Sequence, residues 1–310
     1  MVDILQIKKK ILIIGYGAMG KKYENALKKN FLIDIYDKNK KIRNVNINNI
    51  NLKKNKNKYY FAIISTPANS HLKYCSICAK AGLSFIVEKP LFIKKNGWHD
   101  VINLIKKNKI VTSVAYPRRY GKAYNFIRKL IKSGKIGNLK IIKSNYSQNF
   151  RILRKDYKKI YYSNENNSGG IIYDALSHHL NLQSFYGGKI KNITKVKKRL
   201  EFKDVKVSDT GIVIIKFKKN ILGLIFGNQF QSPNIDEIEF VGSKKNLIYN
   251  RIDNKLFLAW DKKKKIIKRF HENYENLFKS QLDDFLKCLK KRSLPKTTVA
   301  EEWDNLIKLK

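Results

Sequence analysis

Asp174 and His178 stand four residues apart in the run Gly169-Gly170-Ile171-Ile172-Tyr173-Asp174-Ala175-Leu176-Ser177-His178. On a helix that spacing sets a carboxylate and an imidazole on one face, where the carboxylate can orient the ring and stabilise its protonated form. An imidazole that titrates at about pH 6.5 is suited to taking a proton from a hydroxyl, and returning it, near neutrality. His179 points about 100° away around the same helix and is the poorer base. A third group, Lys89 in Glu88-Lys89-Pro90, follows an apolar strand predicted over 83–87. An ammonium at the carboxyl end of a parallel strand sits where open α/β sheets place their ligands, and it can donate to an oxygen that gains charge. Pro90 fixes the direction of the backbone at that lysine. The chemistry these residues suit is proton transfer at an alcohol or ketone.

Such residues need a scaffold, and the chain supplies one. An apolar strand over 11–14 runs straight into Gly15-Tyr16-Gly17-Ala18-Met19-Gly20, a G-x-G-x-x-G turn. Gly15 allows the tight turn, Gly17 lets backbone approach a pyrophosphate, and Gly20 lets the following helix sit close to the strand, its N-terminus offering free N–H groups. A second strand over 31–36 closes on Asp37, where a carboxylate can accept from ribose hydroxyls. The predicted ligand is a dinucleotide. The Asp37 charge favours NAD, while Lys38, Lys40 and Lys41 could clamp a 2′-phosphate and keep NADP open.

Strands over 59–65, 83–87 and 110–116 alternate with helices over 69–81, ended by Gly82, and 97–107. This alternation predicts an α/β chain with a Rossmann, doubly wound parallel sheet over 1–118, in which the polar stretch 38–58 makes a short or irregular second crossover. From 119 to 310 the pattern changes to a second, α+β domain. Helices over 123–132 and 170–186 flank a strand over 140–146, and hairpin-like segments over 211–217, 221–228 and 237–241 predict a mostly antiparallel open sheet. Tyr274, Leu277, Phe278, Leu282, Phe285, Leu286 and Leu289 recur at helical spacing, which marks core and not a site.

With 310 residues, 43% of them hydrophobic, the chain can bury a substantial core. Its net charge of +42 comes from lysines scattered with Asn and Ile through every segment, the bias of an AT-rich coding sequence. The denser clusters at 38–41, 53–58 and 262–265 lack the interleaved stacking aromatics of a nucleic-acid module, so no specific nucleic-acid partner is expected. No stretch is long and apolar enough to span a membrane, and Lys8–Lys10 lead into a strand and not into a signal segment; a cytoplasmic protein is expected. Three cysteines give no disulfide framework. Cys75 and Cys78 share a helical face with His71, but a structural zinc site needs a fourth ligand, so the default is packing and no metal is expected.

Glu88-Lys89-Pro90, Ser65-Thr66-Pro67 with Asn69 and His71, and the Asp174-x-x-x-His178 run occur in an order that resembles the glucose-fructose oxidoreductase and inositol dehydrogenase family, Gfo/Idh/MocA. Tyr116-Pro117-Arg118-Arg119, Ser133–Gly137 and Asp209-Thr210 extend the likeness over nearly the whole chain. The resemblance implies an NAD(P)-dependent oxidoreductase whose substrate sits between the cofactor domain and the second sheet. Lys89, Asp174 and His178 would be catalytic. Ser65, Thr66, Pro67, Asn69, His71, Glu88 and Lys89 would line the cofactor together with the glycine loop and Asp37. It also implies a homo-dimer or homo-tetramer built on the open sheet face.

The substrate expected is sugar-like: a sugar, polyol or nucleotide-sugar derivative, as in relatives of surface-polysaccharide biosynthesis. Besides Lys89, Asp174 and His178, the candidates to hold it are Arg119 and, from a polar loop over 147–168, Arg151, Arg154 and Tyr157, since arginine suits a carboxylate or phosphate. Reduction of a C=C or C=N bond, or a non-catalytic dinucleotide-binding regulator, are the alternative readings. One departure stands out: three residues after the histidine the family often carries aspartate, and here Asn181 keeps a hydrogen bond without the charge.

Overall fold

The computed structural model describes residues 8–39, 41, 45 and 58–309, so the expected short second crossover, Lys40 and most of the 53–58 cluster lie outside the described residues. The chain divides into two compact units, residues 1–115 with 283–300, and 116–282 with 301–310. No described helix is long and apolar enough to cross a membrane.

Among its described residues the first unit holds five parallel strands, β1 Lys10–Ile14, β2 Leu32–Tyr36, β3 Ala62–Ile64, β4 Phe85–Val87 and β5 Thr112–Val114, in the order β2-β1-β3-β4-β5. Its helices are α1 Ala18–Leu27, α2 His71–Lys80 and α3 Trp98–Lys107. A parallel strand covered on both faces must be apolar throughout, and Ile11, Leu12, Ile13 and Ile14 are all fully buried, as are Ala62, Ile63 and Ile64. The strand order reverses direction between β1 and β3, where Ile14 pairs with Ile64. The loops leaving these two strands are therefore the ones that flank the crevice at the carboxyl edge of the sheet. Cys75 and Cys78 are buried on α2, and burial pushes the Cys78 thiol up to about 12, the behaviour of packing side chains.

The second unit opens with a 3₁₀ turn, Pro117–Tyr120, and α4 Lys122–Lys132. The eight strands are β6 Leu139–Asn149, β7 Ile190–Lys198, β8 Thr210–Phe217, β9 Leu222–Asn228, β10 Phe230–Gly242, β11 Asn246–Asn250, β12 Lys255–Trp260 and β13 Lys263–Arg269, in the order β13-β12-β11-β10-β6-β9-β8-β7. Among the described strands of this sheet, only β6 and β9 pair in parallel. Single-turn helices α5 Phe150–Leu153 and α6 Glu165–Ser168 precede a π-helical turn, Ile172–Leu176, which runs directly into α7 Ser177–Gly187. The continuous helix expected over 170–186 is thus widened in its first turn. Gly169 and Gly170 lead into it with φ of +72° and +68°, values that glycine adopts without steric cost. On the sheet beneath, a methyl group at Gly223 or Gly227 would strike Gln183 or Leu176, so these positions let α7 and its leading turn lie close to β9. The chain ends with α8 Tyr274–Lys291 and α9 Val299–Leu306.

Candidate functional site

In the first unit the glycine loop has the shape its sequence implies. Gly15, at φ +93°, leaves no room for a side chain, since a Cβ would meet the backbone of Ser65 at 2.8 Å. A Cβ at Gly20 would run into the Gly15 carbonyl oxygen, whereas one at Gly17 would meet no protein atom within 4 Å. The protein's own packing therefore requires glycine at 15 and 20, and what Gly17 provides is open approach to backbone, as a pyrophosphate needs. Gly17 is also the N-cap of α1 and brings no side chain to its first turn, so the N–H groups of Ala18, Met19 and Gly20 are left for an anion. Gly20→Ala is expected to weaken NADH binding at least tenfold and to cost about 2 kcal/mol of stability, because the helix must back away from the strand; titration and chemical denaturation measure the two effects.

The flanking residues assemble around this loop. Asp37 accepts the Tyr16 N–H at 2.7 Å and the Asn39 N–H at 2.9 Å, which holds its carboxylate against the glycine turn. The Ser65 hydroxyl donates to the Gly15 carbonyl at 2.7 Å, and the Thr66 hydroxyl accepts from Ser70 at 2.8 Å. Pro67 and Asn69 are exposed beside them, and Asn69 lies in the 3₁₀ turn Ala68–Ser70 that runs into α2. Glu88 accepts from the Tyr23 hydroxyl at 2.9 Å, and burial pushes its carboxyl up. Lys89 is half-buried at the end of β4 and precedes Pro90 through a cis bond. His71, expected to line the cofactor, is instead fully buried. Its Nε2 lies 2.8 Å from the Thr66 carbonyl and its Nδ1 3.0 Å from that of Pro90, so the ring ties the β3 loop to the β4 loop.

In the second unit Asp174 lies in the π-helical turn, 2% exposed, and His178 is half-buried on α7. Asp174 receives the Tyr161 hydroxyl at 2.5 Å and an Arg154 guanidinium hydrogen at 3.4 Å. Burial and the neighbouring carboxylate push the Tyr161 hydroxyl's pKa up, so it stays a donor. The polar loop thus reaches Asp174 through Arg154 and Tyr161. Its other members do not: Arg151 donates to Glu201 at 2.7 Å, and Tyr157 donates to Asp204 at 2.8 Å while stacking on Phe202. Tyr157, Tyr162, Phe150, Phe202, Val205 and Val207 form a satellite core, so this segment is pinned and not merely solvated. Arg151 and Tyr157 line an open cleft of about 610 Å³ with Lys155, Lys158 and Lys203.

Arg119 also departs from expectation. It is 2% exposed and its guanidinium donates to the Asn181 carbonyl, the Ser184 hydroxyl and Glu301, so it is framework under α7 and has no surface with which to meet substrate. Two features have no counterpart in the sequence reading. The Tyr116 ring meets the His178 ring edge-on at 5.6 Å and its hydroxyl donates to Glu302 at 2.8 Å. Arg118 donates twice to Asp236, at 3.0 and 2.9 Å, and once to His179 Nε2 at 2.9 Å. His179 Nε2 also lies 3.3 Å from Asp236 Oδ1, so the buried ring sits between the guanidinium and the carboxylate, and burial lowers its pKa.

Comparison with known proteins places this geometry among oxidoreductases. Residues 9–116 match the family described as "Oxidoreductase family, NAD-binding Rossmann fold", and residues 124–248 match the GFO/IDH/MocA C-terminal domain. A myo-inositol 2-dehydrogenase of Thermotoga maritima is 22% identical over 242 residues, 75% of this chain and 70% of that protein. Among solved structures, levoglucosan dehydrogenase in complex with NADH and levoglucosan has a TM-score of 0.83 at 18% identity, covering 97% of this chain and 95% of its own. An inositol dehydrogenase homolog complexed with NAD+ from Azotobacter vinelandii has a TM-score of 0.82 at 13% identity, covering 97% and 93%.

Proposed function

Because the chain belongs to the GFO/IDH/MocA family of NAD-binding oxidoreductases, we propose that it moves hydride between a nicotinamide dinucleotide and a secondary alcohol or ketone of a sugar, polyol or sugar derivative. The observation that carries this reading is a glycine loop sterically built for a dinucleotide, in a chain that also sets a buried Asp174 four residues ahead of a half-buried His178 across the π-helical turn into α7. The bound nicotinamide supplies the hydride acceptor or donor. In the oxidative direction the His178 imidazole takes the hydroxyl proton, and Asp174 favours the imidazolium that results. Lys89 donates a hydrogen bond to the substrate oxygen as it loses its proton, and in the reverse direction the His178 imidazolium returns that proton. The contacts of Arg154 and Tyr161 with Asp174 support a role for them in sorting substrates by hydroxyl or acidic groups. The inositol and levoglucosan dehydrogenases among the similar proteins support polyols and anhydrosugars as the first compounds to try. Exposed Ile141, Ile214, Leu222 and Leu224 on neighbouring strands of the open sheet support a homo-oligomer.

A fluorescence titration with NADH and NADPH, in moderate salt so that non-specific anion binding is screened, tests the cofactor half of this reading. NADH is expected to bind more tightly. Asp37→Ser is expected to weaken NADH by about tenfold and to narrow the gap to NADPH, since it removes a charged acceptor for the ribose and the repulsion of a 2′-phosphate. Binding of neither dinucleotide by the unaltered chain overturns the reading. Appearance of NADH on mixing NAD+ with myo-inositol, levoglucosan and related polyols tests the substrate half.

A further inference from the structure

α9 carries a carboxylate into the layer beneath α7. Glu302 is 1% exposed, and both of its oxygens are held by neutral donors: Oε1 by the Tyr116 hydroxyl at 2.8 Å, Oε2 by the Asn181 amide at 2.8 Å, with the Asn305 amide at 3.5 Å. The same Tyr116 presents its ring to His178, centroids 5.6 Å apart and planes at 90°. Asn181 lies three residues beyond His178, so a carboxylate at that position would belong to the same layer. An amide there cannot supply the charge, but its N–H can hold a carboxylate that arrives from elsewhere.

We propose that Glu302 is a positioning residue for His178: it supplies from α9 the buried carboxylate that α7 lacks at Asn181, and it holds the Tyr116 ring against the imidazole. The proposal rests on the reading of His178 as the base. An ionised Glu302 favours the protonated form of a nearby imidazole, the more so because the carboxylate is buried. A fixed Tyr116 also limits the orientations the His178 ring can take. Burial lifts the Glu302 carboxyl to about 7, against the Asn181 and Tyr116 hydrogen bonds and the Arg119 charge, which lower it; Glu301 adds to the rise. Glu302 therefore changes charge in the range in which an imidazole works. The groups facing it are Tyr116 and, from the neighbouring 3₁₀ turn, Arg119; Asn181 from α7; and Glu301 and Asn305 from α9 itself. On the side of His178, Asp174 stands one turn ahead.

The test needs no substrate. The chain has five histidines, and the C2–H resonance of His178 can be assigned by its loss in His178→Asn and titrated by NMR. Glu302→Gln is expected to lower the His178 pKa by about 0.5–1 unit, and Asn181→Asp combined with Glu302→Gln, which returns a carboxylate to the layer from α7, is expected to restore most of it. Tyr116→Phe keeps the ring and deletes the hydroxyl. It is expected to shift His178 in the same direction by less, and it serves as the independent measurement should Glu302→Gln not fold. An unchanged His178 titration in Glu302→Gln, or in Tyr116→Phe where that variant stands in, overturns the proposal. In the active enzyme the acid limb of the kcat/KM profile is expected to move with the NMR value while NADH binding stays constant. Retained turnover in His178→Asn would instead overturn the base assignment and leave the NMR result to judge the positioning.

Discussion

Lys89→Met is expected to lower turnover by about 10²–10⁴-fold while NADH binds as tightly as to the unaltered chain. The substitution keeps most of the aliphatic length of the side chain and removes only its charge and donors. The lysine is half-buried at the carboxyl end of β4, and the residues that shape the dinucleotide loop, Gly15, Gly20, Asp37 and Ser65, make their contacts without it. A loss in kcat with little change in NADH titration would therefore mark an interaction with the reacting oxygen. Weak NADH binding would mean that the β4 loop had moved, and full turnover would reject the role of Lys89 outright. His71 offers a control, because it ties the Thr66 and Pro90 carbonyls together. His71→Asn should lower both NADH affinity and turnover, a pattern unlike that of Lys89→Met.

The parts of the site that were legible in sequence are those whose cause is local. A fully buried parallel strand must be continuously apolar, and a turn in which a Cβ strikes the next loop must be glycine, so β1 and the glycines at 15 and 20 announced themselves. Strands β7 and β13 did not, because their exposed faces carry lysine after lysine and mask the alternation; β13, Lys263–Arg269, is an edge strand with hardly a buried residue. The widening at Ile172–Leu176 has no signature in spacing alone. What sequence could not show at all is which distant residues complete the layer under α7. Glu302 meets Asn181 across 121 positions and Tyr116 across 186, and Arg118 meets Asp236 across 118. Asn181 was read in sequence only as an amide that keeps a hydrogen bond without a charge, and nothing local says which distant carboxylate it would hold. Arg119 misled for the converse reason, since an arginine beside a site looks like a ligand for anions until its guanidinium is found buried on Asn181, Ser184 and Glu301.

Asp236→Asn is expected to have the largest effect on stability, on the order of 3–5 kcal/mol, because it leaves the buried Arg118 charge without its partner. Burial alone would raise the Asp236 carboxyl, but Arg118, His179 and Arg251 hold it well below the usual carboxylate range. A carboxyl whose folded pKa is depressed stabilises the fold above its unfolded pKa of 3.8, and that contribution is lost as the pH falls further. Glu302 has the opposite sign: its folded pKa is raised from 4.5 to about 7, so its contribution is full below 4.5 and is lost as the pH rises through 7, amounting to about 3 kcal/mol. The two buried carboxyls therefore bound a stability maximum from opposite sides. Asp236→Asn should lower the melting temperature on the order of 10 °C at pH 6 and flatten only the acid flank, and Glu302→Gln should flatten only the alkaline flank. Replacing both partners, Arg118→Met with Asp236→Asn, should cost less than the sum of the two single changes, since no uncompensated charge remains buried. A melting temperature within 2 °C or so of the unaltered chain in Asp236→Asn alone would show that water reaches Arg118 and that this layer is not dry.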